Sequence, residues 1–199
     1  MSAALSADQI AVVTPTKGRP RQLRCLLETL SAQSTPVGAV LIADGGGDQA
    51  DLVAEFADRL PITWLECPTP GQIPQRNFAY EHLPDHTRVV INMDDDLHLE
   101  PDAIESLVRF WNDRQREPGG VGLNLTNFPA QSDGPFRRLF GMGTTPFGRI
   151  WRSGYNTPIT GVSDDIASQW LIGGATGDVM CLRRIGSTIC LRSGRFAKI

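Results

Sequence analysis

The sequence predicts an α/β fold, a mainly parallel sheet with helices on both faces and a Rossmann-like alternation of elements. Three features of the first 125 residues predict it: short apolar runs bounded by Pro, Gly or Asp, helical apolar stripes between the runs, and polar residues gathered where the runs end. Gln9 to Thr14 is the first run, closed by Pro15, and Val37 to Ala43 the second, closed by Asp44 and three glycines. Both read as buried strands. Between them Leu23, Leu26, Leu27 and Leu30 recur at i, i+3, i+4 and i+7, the stripe a helix buries, with Pro20 near its first turn. Leu52, Val53, Phe56 and Leu60 suit a second helix, and Ile62 to Glu66 a third strand. Pro74 opens a helix through Phe78 and Leu83, after which Arg88 to Met93 is the strongest strand signal in the chain. Pro101 then precedes Ile104, Leu107, Val108 and Trp111, again a helical stripe, and Val121 to Leu125 suits a fifth strand. Residues 126 to 160 turn to Phe, Gly, Arg and Pro without periodicity and read as a long loop region.

A chain of 199 residues holds one domain, or one domain with an appended lobe. Its 41% apolar and 21% charged residues are those of an ordinary globular chain, so a sizeable core can be buried. Nineteen Lys and Arg against 22 Asp and Glu give a net charge of -3, without the basic field that neutralises a phosphate backbone, so nucleic acid is disfavoured as a partner. No run approaches the roughly 18 apolar residues of a membrane span, and Met1 to Asp8 lacks the character of a signal peptide. The reading is a cytoplasmic protein with no transmembrane segment. Cys25, Cys67, Cys181 and Cys190 stand far apart without a C-x-x-C pair and are expected to be reduced thiols.

In doubly wound sheets the ligand lies beyond the carboxyl ends of the strands. Polar residues collect there: Thr14-Pro15-Thr16, Asp44-Gly45-Gly46-Gly47-Asp48, and Asp94-Asp95-Asp96. Three consecutive aspartates raise one another's pKa unless a cation or hydrogen-bond donors compensate. Extended backbone would point Asp94 and Asp96 to one face with alpha carbons roughly 7 Å apart. Two hard oxygen ligands on one side suit Mg2+ or Mn2+, which fill their remaining positions with water and phosphate oxygens. An isolated triplet of this kind is more often a solvated loop, but its place at the mouth of such a sheet favours the cation. The glycine loop lacks the G-x-G-x-x-G spacing and follows the second strand, which weakens a dinucleotide fold. Asp44, at a strand tip, can accept hydrogen bonds from a base or ribose and is expected to contribute little to the core. Arg19 and Arg76 are candidate ligand contacts. His98 reads as a strand continuation, and His82 and His86, separated by Pro84, as surface residues.

Four segments carry a family likeness: Val12-Val13-Thr14-Pro15-Thr16 with Arg19 and Pro20; Leu41-Ile42-Ala43-Asp44-Gly45; Pro70-Gly71-Gln72 leading to Gln75-Arg76-Asn77; and Asn92-Met93-Asp94-Asp95-Asp96 with Glu100-Pro101-Asp102-Ala103-Ile104. In this order and at these separations they resemble the nucleotide-binding half of a family 2 glycosyltransferase with the GT-A fold. The likeness covers about residues 9 to 125, and Trp170 to Thr176 resembles the family's acceptor-side segment more loosely. It implies a nucleotide-diphosphate sugar lying across the strand ends. Thr14, Pro15, Thr16 and Asp44 would hold the base, Arg76 would contact the nucleotide, Asp94 would face the ribose, and Arg19 and Asp95 would complete the donor-binding set. Asp96 would ligate Mn2+ or Mg2+ on the diphosphate. The implied reaction is metal-dependent, inverting transfer of the sugar to an acceptor, glycan, lipid or protein, that the sequence does not identify.

The chain divides on this reading into a nucleotide-sugar-binding half (1–125), an incomplete acceptor-side region (126–178) and an atypical basic tail (179–199). Inverting members of the family place a Glu-Asp type base after the acceptor-side segment. Here nothing acidic follows Asp178, the last 21 residues carry five basic side chains, and Asp164 and Asp165 precede that segment, so no catalytic base is assigned. A truncated or frame-altered C-terminus is expected, with weak or no transfer by this chain and a basic tail able to touch an anionic lipid surface. The rival reading is a non-catalytic module that binds a nucleotide sugar or a divalent cation. A nucleotidyltransferase would need a glycine-rich triphosphate loop after the first strand, and the sequence has none.

Overall fold

The structure, a computed structural model, describes residues 4–113 in full and, beyond them, the backbone of five strands. After a single 3-10 turn at Ala7–Gln9, the elements run β1 (Ile10–Thr16), α1 (Pro20–Ser31), β2 (Ala39–Asp44), α2 (Ala50–Ala54), β3 (Ile62–Glu66), α3 (Gln72–Glu81), β4 (Val89–Asn92) and α4 (Ala103–Asn112). The five further strands are β5 (Gly120–Gly122), β6 (Ser168–Gln169), β7 (Asp178–Ile185), β8 (Thr188–Leu191) and β9 (Phe196–Lys198). The expected loop region at 126–160, Asp164, Asp165 and the segment Trp170 to Thr176 lie outside the described residues.

Strands β3, β2, β1 and β4 are neighbours in that order and all parallel. The antiparallel β7 follows β4, pairing Ile91 with Val179, and the order continues β5, β9, β6, with β8 paired to β7. Strands therefore occupy much of the stretch 179–199, where the sequence reading found only a basic tail. The apolar run Val179 to Leu182 is short enough to be missed and long enough to pair.

Two apolar clusters lie on the two faces of the parallel sheet. Ile10, Val12, Val40, Ile42, Val89 and Ile91 point to one face and meet the Leu23, Leu26, Leu27 and Leu30 stripe of α1, Leu52 and Val53 of α2, and Ile104, Leu107, Phe110 and Trp111 of α4. The alternate residues, Ala11, Val13, Ala39, Leu41, Ala43 and Val90, meet Ala79 and Leu83 of α3 and its exit. Four alanines in this second cluster let α3 lie close to the sheet. Successive right-handed crossovers in one direction put α1 and α2 on the same face, and the return from β3 to β4 puts α3 on the other.

Several element bounds differ from the periodicity reading, and α3 starts at Gln72, two residues before the Pro74 expected to open it. Strand β1 runs through Pro15 to Thr16 rather than ending at Thr14. The last ladder bond toward β4 is Met93 N–H to Val13 C=O at 3.0 Å, so the missing N–H of Pro15 falls on the side where β4 has already ended. Helix α2 is only five residues long. After it Phe56 N–H bonds Val53 C=O and Ala57 N–H bonds Ala54 C=O in tight turns, which still bury Phe56 and Leu60. The segment after the aspartates is tied back to α1: Gln33 donates to Glu100 C=O at 2.8 Å and accepts from Ile104 N–H at 3.1 Å in the first turn of α4. Among the described residues no helix is long and apolar enough to cross a membrane.

Because Leu26 is fully buried in the larger cluster, Leu26→Ala is expected to cost about 2–5 kcal/mol in urea denaturation. The exposed Ile73, 72% accessible, should change stability by no more than about 0.5 kcal/mol when replaced by Ser.

Candidate functional site

Strand β1 sits between β2 and β4, so the strand order reverses there, and the segments leaving the C-terminal ends of β1 and β4 are bonded to each other through Arg19 and Asp95. The aspartate triplet leaves β4 at this point. Its backbone is not extended: Leu97 N–H reaches Asp94 C=O at 3.4 Å across a turn that contains Asp95 and Asp96. The expectation that Asp94 and Asp96 share a face is thereby corrected. Beyond Met93 no described strand pairs with the chain to hold it flat, and the turn distributes the three charges over two cations.

Asp94 Oδ1 accepts from Arg76 Nη2 at 2.7 Å, bringing α3 to the end of β4. Asp95 accepts from Thr16 Oγ1 at 2.8 Å and from Arg19 Nη1 at 2.9 Å. Arg19 Nη1 also lies 3.4 Å from Asp96 Oδ2. The side chain of Asp95 is 6% exposed and that of Asp96 is 54% exposed, so the buried carboxylate takes the short bonds and the open one the long contact. The hydrogen bond that Arg19 donates to Asp95, followed by the charges of Asp95 and Asp96, holds the Arg19 guanidinium above its ordinary pKa. Tyr80, one helical turn after Arg76, adds a bond from its hydroxyl to Asn92 Oδ1 at 2.7 Å.

Thr14 and Pro15 are buried in β1, and among the described residues Thr14 Oγ1 has no hydrogen-bond partner. Arg76 Nε is likewise buried without a partner among the described residues, a donor with spare capacity beside Asp94. Asp44 is fully buried. Its Oδ1 accepts from Gly46 N–H at 2.9 Å, while its Oδ2 accepts from Gln49 N–H at 2.8 Å and from Trp64 Nε1 at 3.2 Å. A carboxylate expected to add little to the fold therefore organises the loop after β2 and links it to β3. Among the described residues no group of three or more His, Cys, Asp or Glu is arranged to hold a metal. His82 and His86 are exposed, as expected, and Cys25 and Cys67 are free thiols.

Sequence reasoning missed Gln75 as a site residue. Its Nε2 donates to Thr16 C=O at 2.7 Å and Ala43 C=O at 2.5 Å, and its Oε1 accepts from Gly71 N–H at 2.9 Å. The available signal was its spacing, four residues before the buried Ala79, which puts a polar side chain on an apolar helix face. Trp64 was missed as well, because its indole reaches Asp44 from a strand edge.

A sequence model of glycosyl transferase family 2 matches residues 11–153, well over half of the chain. This chain belongs to glycosyl transferase family 2. The fold of this family 2 chain is the GT-A fold. Staphylococcus aureus TarS, residues 1–349, superposes with a TM-score of 0.54 at 18% identity, covering 62% of this chain and 38% of that one. The same protein in complex with UDP-GlcNAc gives 0.52 at 16% identity, covering 62% and 37%. The mannosyltransferase PcManGT from Pyrobaculum calidifontis, in complex with GDP-Man and Mn2+, gives 0.49 at 21%, covering 58% and 35%. At these identities the likeness is one of fold, and the family 2 chain spans well under half the length of these proteins. No curated protein matches it.

Replacing Asp44 by Ala removes the acceptor for the buried Gln49 N–H and for the Gly46 and Trp64 donors. The expected loss is about 2–3 kcal/mol of unfolding free energy, read as a lower urea midpoint at unchanged slope. An unchanged midpoint would show that the loop holds its shape without the carboxylate.

Proposed function

We propose that this chain binds a nucleotide-diphosphate sugar across the C-terminal ends of β1, β2 and β4, as the donor-binding part of an enzyme that transfers the sugar with inversion. The observation that carries the reading is the Asp94–Asp96 turn held between Arg19 and Arg76 at the point where the winding of the sheet reverses. Carboxylates and guanidinium groups alternate there at hydrogen-bond distances. Guanidinium groups match phosphate oxygens in geometry and charge, and hard carboxylates match divalent cations.

The roles follow from exposure. Arg76, with an unpartnered Nε, contacts the nucleotide, and Asp94 beside it faces the ribose. Thr14, Pro15 and Thr16 form the floor under the base, with Asp44 shaping the loop that borders it. Asp95 is consumed by Thr16 and Arg19, which it holds in place. Asp96, open and only loosely contacted by Arg19, is the residue that holds Mn2+ or Mg2+. When bound, the cation offsets the negative charge that develops on the leaving diphosphate. The triplet has one more negative group than the two arginines that contact it, which leaves a carboxylate available to a cation. No described residue is assigned to deprotonation of the acceptor. The alternative, a binding module without transfer, shares the same donor site and differs only in turnover.

Calorimetry with UDP and with GDP, each with and without Mn2+, tests the reading. Binding of at least one diphosphate should require the cation, and Asp96→Ala should weaken it by roughly tenfold or more, a loss of about 1.4 kcal/mol or above. The melting temperature should hardly move, because the Asp96 side chain is half exposed. Equal affinity with and without Mn2+, and in the Asp96 variant, would remove the cation from the site.

A further inference from the structure

The burial of Gln75 is not a packing requirement. It stands on the face of α3 whose other buried member is Ala79, against a cluster made of Ala11, Val13, Ala39, Leu41, Ala43, Leu83 and Val90. An apolar side chain would fill such a position, and a buried amide is costly unless its hydrogen bonds are made. Those bonds go to three different segments: Thr16 C=O at the end of β1, Ala43 C=O at the end of β2, and Gly71 N–H where α3 begins. Gly71 has φ 131, a conformation that favours glycine, and its C=O in turn accepts from Gln75 N–H at 3.0 Å, so the same residue closes the first turn of the helix. The loop after β2 is pressed against the amide. A Cβ at Gly45 would lie 3.0 Å from Gln75 Cδ and Oε1.

Two halves of the site meet at this side chain. Thr16 and Ala43 adjoin the base half, with Asp44 next in sequence and Gly45 N–H bonded to Thr16 C=O at 3.0 Å. Arg76, the following residue on α3, carries its guanidinium to Asp94 and forms the phosphate half. We propose that Gln75 is a positioning residue that fixes the spacing between these halves, so that a nucleoside diphosphate spanning both binds far better than either of its parts. The inference rests on the donor reading above and adds to it a residue that touches no ligand.

A fixed spacing acts through effective concentration, since it helps only a ligand that occupies both halves at once. Gln75→Met keeps the length of the side chain and removes all three bonds. It should weaken UDP binding in the presence of Mn2+ by about tenfold or more, while uridine and inorganic pyrophosphate each change by less than about twofold. If GDP is the tighter diphosphate, GDP and guanosine replace UDP and uridine. Leu83→Ala, in the same cluster but remote from the strand ends, should lower the melting temperature and leave all three affinities within about twofold. Gly45→Ala, which displaces the amide while leaving Gln75 in place, should repeat the Gln75→Met pattern and serves where that variant folds poorly. Titrations of the full chain well below its melting temperature supply the readout. Unchanged UDP affinity in both site variants, or equal losses for the diphosphate and its parts, would overturn the positioning role. Failure of the parent chain to bind either diphosphate would instead overturn the donor reading, and this proposal with it.

Discussion

Three carboxylates on consecutive residues must be separated and neutralised before β4 can end where it does, and most of the site follows from how the chain achieves this. Two unit charges roughly 7 Å apart repel by about 2 kcal/mol at an effective dielectric of about 20. The turn at Asp95 and Asp96 divides the load: Arg76 takes Asp94, and Arg19 takes Asp95 with a looser hold on Asp96. Arg19 precedes α1 on one face of the sheet and Arg76 lies on α3 on the other. The end of β4 is thus bound to helices from both faces, and the same electrostatic need that stabilises the turn places two guanidinium groups at the mouth of the sheet.

The alternation of strands and helices was legible because burial imposes a period. The Leu23, Leu26, Leu27 and Leu30 stripe is buried as expected, and β3 spans Ile62–Glu66 as its apolar run indicated. What the sequence concealed was local hydrogen-bond economy. The spacing of Leu52, Val53, Phe56 and Leu60 is satisfied equally by a long helix or by a short helix followed by tight turns, and the chain takes the second course. Pro15 reads as a strand terminator until the early end of β4 makes its missing donor harmless.

At the site, residue identities were legible and partnerships were not. Thr16 and the three aspartates were visible as polar residues at strand ends, Arg19 and Arg76 as candidate ligand contacts, and the structure brings them together. That Asp95 rather than Asp96 takes the short bonds depends on contacts 76 and 79 residues apart in sequence, which no local pattern encodes. Asp44 had the right position and an incomplete role, since a strand-tip carboxylate looks exposed until the Trp64 indole and the backbone of its own loop enclose it. Gln75 was named only as part of the Gln75-Arg76-Asn77 segment and given no role, because a polar residue in a helix is ordinarily a surface residue, and its value appears only when three unrelated backbone groups converge on it.

The central claim is that a nucleoside diphosphate binds across the C-terminal ends of β1, β2 and β4. The most direct measurement is a titration of the isotopically labelled chain with UDP or GDP in the presence of Mg2+, followed by backbone amide shifts. The account places the largest changes at residues 14–19, 44–49, 72–77 and 93–98, with saturation at a common ligand concentration. Changes centred on α2 or the C-terminal end of α4, with none at 93–98, would contradict it.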